Sequence, residues 1–222
     1  MILSISDVLS APSLSRVQEL AASGTFEDGR TTAGWSAKVV KNNRQLQPGS
    51  TGYDEVIRLV IGAVSECHTL RIAALPRTFR PPVISRCDVG MGYGPHVDDA
   101  LMGQPMVRAD LSYTLFLRDP ETYEGGELVL EDTQGEQAYK LAAGGLLLYP
   151  STYLHRVEAV RSGIRFVAAG WIQSVCREAA HREILFDLHR LMTAEFERCG
   201  KSAEFDLLAK TRSNLLRLFA DV

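Results

Sequence analysis

The ten residues Gly90–Asp99 read GMGYGPHVDD, and how they are read decides the rest of the chain. Three glycines and a proline precede His96, so the segment is a shaped loop entering a strand and not a helix. His96 and Asp98 are two residues apart. On extended backbone such positions share one face, so an imidazole and a carboxylate converge on a single point. A third metal ligand has its best candidate in His155, within YPSTYLHRVEAV. Ten residues further on, Arg165 lies in the strand-like run GIRFVAAGWI.

Each signal is weak by itself. An isolated H-x-D is more often a surface or hydrogen-bonding pair than a ligand pair. His155 alone could be a satisfied core histidine, and Arg165 alone an ordinary ion-pair partner. The order H-x-D, several strands, His, then Arg is more specific. Two histidines and one carboxylate that leave coordination positions open form the ligand set of non-haem Fe(II) sites. A strand-borne arginine offers a fixed planar fork to a carboxylate.

The remainder of the chain restricts the setting. Its 222 residues are 45% hydrophobic with a formal net charge of -3, enough for a buried core and without a basic stripe for nucleic acid or a polybasic membrane patch. The start, MILSISDVLSAPSLSRV, lacks a basic n-region and a long apolar core, so a signal peptide is not expected. No apolar run reaches the length of a membrane span. Cys67, Cys87, Cys176 and Cys199 are scattered without a C-x-x-C, which fits reduced thiols and a cytoplasmic location.

Periodicity divides the chain in three. Ser13 to Ala22 reads as a helix capped by Ser13, and Gly24–Gly34 as irregular. Gly52 to about Glu66 reads as a second helix with Val56, Leu59, Val60 and Ala63 on one face. His68, just after its end, reads as a residue favoured by the helix C-terminus. From Leu70 short apolar runs bounded by Gly, Pro and Asp take over: LRIAAL, VISRCDV, LSYTLFL, GELVLED, QAYKL, GLLLYP, HRVEAV and IRFVAAGWI. Such spacing suggests two packed sheets, a jelly roll. Pro76, Pro81 and Pro82 belong at an edge or in irregular backbone. Gly125-Gly126 and Gly144-Gly145 mark turns or bulges. After Gln173 the period is helical again. Ala180, Ile184, Leu185, Leu188, Leu191 and Met192 are expected on one inward face, and a last helix over 203–219 turns Phe205, Leu208, Leu215 and Leu218 inward. His181 and His189 read as surface or packing residues. The expectation is mainly β with helical additions: a double-stranded β-helix (jelly-roll) core over 78–174, an N-terminal helical and irregular segment over 1–77 packed on it, and a C-terminal helical extension over 175–222.

YGPHVDDALM, RADLSYTLFLRDPETYEGGELVLED, KLAAGGLLLYPSTYLHRVEAV and GIRFVAAGWIQS together make the sequence resemble the PKHD-type hydroxylases, bacterial relatives of the prolyl 4-hydroxylases among the iron- and 2-oxoglutarate-dependent dioxygenases. Fainter echoes lie in DGRTTAGWSAKVVKNN and in the C-terminal helices. The resemblance implies Fe(II) on His96, Asp98 and His155, 2-oxoglutarate as co-substrate with its distal carboxylate on Arg165, and ascorbate as reductant. It implies an enzyme that hydroxylates a substrate with O2 and releases succinate and CO2. The substrate is left open between a small molecule and a peptidyl residue, with no nucleic acid or membrane as partner. An aspartate at position 98 favours hydroxylation over halide transfer. Tyr93 and Arg86 are candidates to line the cavity, each weighed against ordinary packing or solvent exposure. Lys140 and Tyr149 lie near strand ends with no direction assigned. The family usually carries an aromatic where Cys87 stands and often Asn where Asp99 stands. The amphipathic C-terminal helices could serve a homo-oligomer.

Two other readings compete. A non-catalytic jelly roll could bind metal or 2-oxoglutarate as a sensor, and a zinc hydrolase could use the same three ligands. The second lacks an obvious general base and leaves Arg165 without a role.

Overall fold

The structure, a computed structural model, describes residues 1–221. Its strand pairings are antiparallel, and most belong to two facing sheets. The larger sheet has the order Leu3–Ile5, Leu146–Pro150, Leu111–Phe116, Arg165–Ser174, Val83–Cys87, Arg44–Leu46 and Phe26–Asp28, with Pro76–Phe79 pairing beside Val83–Cys87 along the long strand Arg165–Ser174. The smaller has the order Gly135–Tyr139, Leu128–Asp132, Leu154–Val157, Gly92–His96 and Lys41–Asn42. This is the jelly roll that the strand count suggested. Four short strands of the first 77 residues complete these two sheets at their margins, so the N-terminal segment is part of the sandwich itself.

The larger sheet is covered on both faces, which explains why LSYTLFL alternates only in part. All six residues of Leu111–Phe116 are buried. Leu111, Tyr113 and Leu115 join the core under the helices, together with Val17, Val56, Val60 and Leu70. Ser112, Thr114 and Phe116 face the other way, towards the smaller sheet. There Phe116, Leu147 and Val167 pack on Leu128 and Leu130 of the opposing layer. A period-2 strand between two layers thus carries a greasy face and a mixed face, and the mixed face is the one that meets the site.

Several local expectations are corrected. The first helix spans Ala11–Ser23 and is capped by Ser10, whose side chain accepts from the Ser13 N–H. Pro12 needs no N–H in a first turn, so the helix starts earlier than the apolar stripe alone suggests. The segment expected to be irregular contains the strand Phe26–Asp28, paired with Arg44–Leu46, and a short 3-10 turn at Gly29–Thr32. LRIAAL is helical: His68–Ala74 form a second short helix burying Leu70, Ala73 and Ala74. A run of six residues is too short for either period to declare itself. His68 does follow the helix Tyr53–Glu66, as expected, but after the single residue Cys67 it also opens the next one. In the C-terminal extension, Ala179–Cys199 buries Arg182, Leu185 and Phe186, whereas Ile184 and Leu191 are exposed. Ala203–Phe219 packs mainly on its neighbouring helix and leaves Leu218 exposed. The first of these helices packs on both His68–Ala74 and the last helix, and the last helix mainly on the first, so part of each stripe stays outside: Ala180, Ile184 and Leu191 in the one, Leu218 in the other. His181 stacks on Phe219 at 3.8 Å, a packing role as expected. The four cysteines are free thiols, and no described helix is long and apolar enough to cross a membrane.

Candidate metal centre

The strands Gly92–His96 and Leu154–Val157 lie side by side, with His96 directly opposite His155. This register is what brings residues 59 positions apart to one point. Asp98 follows two residues after the strand ends, on backbone without regular structure. It reaches the same point from the loop, not from the extended segment that its spacing first suggested. One ligand atom from each of His96, Asp98 and His155 lies within 4.8 Å of the other two. His155 Nε2 stands 3.9 Å from Asp98 Oδ2.

Each imidazole is already oriented. His96 Nδ1 lies 2.9 Å from the Gly94 carbonyl, and His155 Nδ1 3.0 Å from the Tyr153 carbonyl. A carbonyl can only accept, so in both rings Nδ1 carries the proton and Nε2 presents its lone pair to the centre. Burial, reinforced by the neighbouring His155 ring, holds the His96 pKa well below its ordinary value. Its neutral, ligating form is therefore the resting one. The Tyr93 ring lies flat on His96, with centroids 3.6 Å apart and planes 15° apart.

The carboxylate is oriented by two serines. Ser112 Oγ donates to Asp98 Oδ2 at 2.6 Å, and Ser151 Oγ lies 2.7 Å from Ser112 Oγ. Since Ser112 spends its proton on the carboxylate, Ser151 must donate to Ser112. Both serines are buried.

Behind the centre is a cavity of about 90 Å³ between the two sheets, lined by Thr114, Tyr149, Cys87 and Arg165 among others. Arg165 is only 3% exposed. Its Nε donates to the Gly126 carbonyl at 2.8 Å. A side chain at residue 126 would press on Arg165: a Cβ there would come 2.9 Å from its Cδ, and the backbone is left-handed at φ +68. Gly125 thus sits at a bulge, as the sequence suggested, and Gly126 at a close approach that it did not. No carboxylate lies within salt-bridge reach of Arg165 among the described residues. A buried guanidinium without a protein counter-ion is costly unless a ligand supplies one.

In front of the centre a wider cavity of about 330 Å³ opens outward. Lys41 lines both cavities, and burial pushes its ammonium pKa down to about 8. Tyr93 lines both as well, and Tyr149 the inner one. Arg86 does not: it ion-pairs with Asp88 at 2.8 Å and faces a separate depression beside Phe26. Strand parity accounts for this, because Ser85 and Cys87 face the site and residue 86 must face away. Lys140 donates to the Tyr123 carbonyl, away from the centre. Lys41, Ser112, Ser151 and Thr114 were not singled out by sequence reasoning. Ser112 and Thr114 did leave a trace, as the polar members of an otherwise apolar strand.

The model of the 2OG-Fe(II) oxygenase superfamily matches residues 82–173. The chain is 47% identical to a PKHD-type hydroxylase of Crocosphaera subtropica (strain ATCC 51142 / BH68), over all of both chains. Among solved structures it resembles a 2OG-Fe(II) oxygenase-family oxidoreductase from Burkholderia pseudomallei (TM-score 0.57, 16% identity, 78% of this chain and 84% of that one). It also resembles a Pseudomonas putida prolyl-4-hydroxylase (TM-score 0.53, 17% identity, 78% of this chain and 92% of that one).

Proposed function

This chain belongs to the PKHD-type hydroxylases of the 2OG-Fe(II) oxygenase superfamily, and we propose that His96, Asp98 and His155 hold its Fe(II) while Arg165 grips the distal carboxylate of 2-oxoglutarate. Family membership makes it a 2-oxoglutarate-dependent dioxygenase and decides against the sensor and hydrolase readings. The assignment of residues is supported above all by the oriented Nε2 lone pairs beside a carboxylate, a donor set suited to Fe(II). The unpaired, buried Arg165 supports the co-substrate assignment in the same way.

When bound, Fe(II) with 2-oxoglutarate and O2 supplies the chemistry: one oxygen atom enters a substrate C–H bond, the other enters succinate, and CO2 leaves. The chain's own residues prepare for this. Gly94 and Tyr153 carbonyls fix the two imidazoles, and Ser112 fixes the carboxylate. Gly126 fixes the Arg165 fork from behind, leaving its terminal nitrogens for a carboxylate. Phe116, Leu128 and Val167 keep the inner end dry. Ascorbate as an external reductant belongs to the same reading, as do a cytoplasmic setting and a core over 78–174 whose sheets are completed by short strands of the segment before it.

Turnover in 18-O2 tests the reaction. Succinate should carry label, and the substrate should gain one oxygen atom. Chloride in the product, or no succinate, would overturn it.

Ser112→Ala tests the support behind the carboxylate. Losing a group that orients a ligand typically weakens metal binding about 10–100-fold. Anaerobic calorimetry with Fe(II) should read a loss in that range, and Ser112→Thr, which keeps the hydroxyl, should recover most of it. Wild-type affinity in Ser112→Ala would remove the serine from the site.

A further inference from the structure

The outer cavity contains two cations that the reading above does not use. Arg80 and Lys41 line it, with Tyr93, Asp99, Met102 and Trp171. Arg80 is held at its backbone, where its N–H donates to the Trp171 carbonyl at 2.9 Å, and Pro81 and Pro82 restrict the chain that follows. Its guanidinium lies on the turn at Gly103 so closely that a Cβ there would come 1.9 Å from Nη1. Lys41 Nζ donates to Thr32 Oγ1 at 3.1 Å and stands 5.2 Å from the Tyr93 ring centre, one ring away from His96. Among the described residues neither cation has a carboxylate within 4.0 Å. Of the two carboxylates that line the cavity, Asp98 belongs to the candidate metal set, which leaves Asp99 on a wall that also carries two cations.

We propose that the outer cavity takes a small organic acid, with its carboxylate or phosphate on the Arg80 fork, Lys41 at the end nearest the metal, and Asp99 available to a donor elsewhere on the molecule. A planar guanidinium braced from behind is suited to bidentate anion recognition. A volume of about 330 Å³ is at the small end of ligand pockets, roughly 300–1,000 Å³, and suits a small molecule over a polypeptide segment. The proposal rests on the dioxygenase reading, since it names the class of that enzyme's substrate.

The test separates the two. A metabolite extract of cells carrying the gene is divided on an anion exchanger at pH 8, and each fraction is added to the Fe(II)-loaded enzyme with 2-oxoglutarate. Succinate release should be stimulated by the retained fraction. Phosphatase treatment then separates a phosphate ester, whose effect is lost, from a carboxylic acid. With the purified stimulant, Arg80→Met should raise KM roughly 30-fold or more, and Arg80→Lys, which keeps the charge without the fork, should fall between. Stimulation by the unretained fraction, or an unchanged KM in both Arg80→Met and Lys41→Met, overturns the proposal. So does an extract that never stimulates an enzyme whose slow, substrate-free succinate release is intact, because the substrate is then no small acid. If the protein binds neither Fe(II) nor 2-oxoglutarate by calorimetry, it is the dioxygenase reading that has failed.

Discussion

A protein with alanine in place of His155 is expected to fold and to lose Fe(II) binding by more than the roughly 10–100-fold typical of losing a group behind a ligand. The imidazole supplies one of three donor atoms, and its partner nitrogen is anchored at 3.0 Å to Tyr153. The side chain is also 5% exposed and packs near the Tyr149 and His96 rings. Its removal therefore costs stability, of order 1–3 kcal/mol as for most buried truncations. For a chain of this size each kcal/mol lowers the melting temperature by about 2–4 °C. His96→Ala should lose iron likewise with a smaller stability change, because His96 is less buried. Anaerobic calorimetry and thermal melts of the metal-free proteins check both parts. Iron binding at wild-type strength in either variant would sink the ligand assignment.

Arg165→Ala is expected to raise the apparent KM for 2-oxoglutarate by roughly 30-fold to several thousand-fold, the range that follows from 2–5 kcal/mol for truncating one partner of a buried charged pair. Iron binding should change far less, since Arg165 touches none of the three ligands through a hydrogen bond or salt bridge. Arg165→Lys should also fail. The Nε contact to Gly126 fixes the plane of the fork, and an ammonium on a flexible stem cannot reproduce that plane or its paired donors. Steady-state kinetics against 2-oxoglutarate concentration give the readout, and an unchanged constant in either variant would exclude Arg165 from the site.

The candidate site was legible in the sequence because its chemistry tolerates few residue types and two of its members lie two positions apart. The H-x-D spacing put His96 and Asp98 near one point even though Asp98 reaches it from a loop and not from extended backbone, and the later His and the Arg ten residues on gained their weight from the order in which they follow. The residues that support them were not legible. Ser112 reaches Asp98, and Ser151 reaches Ser112, only through the sandwich, which joins strands and loops far apart in the chain. Lys41 enters the cavity because a two-residue strand pairs it with Tyr93, and nothing in AKVVKNN announces such a strand. Arg86 was nearer to reach: once VISRC is a strand, choosing position 87 for the cavity sends position 86 the other way. LRIAAL was misread because a run of six carries too little periodicity. The exposed Ile184, Leu191 and Leu218 mark the opposite failure, in which clear helical stripes extend past what the neighbouring helices cover.

The strand Leu3–Ile5 has its partner in Leu146–Pro150, with Leu3 opposite Leu148. During synthesis the start of the chain must wait for some 145 further residues, roughly 7–30 s at the usual 5–20 residues per second. The strands Phe26–Asp28 and Arg44–Leu46 find each other at once, but Lys41–Asn42 waits for Gly92–His96. Until then the helical stretches within the first 77 residues have apolar faces with no completed sheet to lie on. Val17, Val56, Val60 and Leu70, fully buried at the end, are the groups left open in that interval. A nascent-chain binding factor or a protease would meet this protein there, before a metal centre exists to protect.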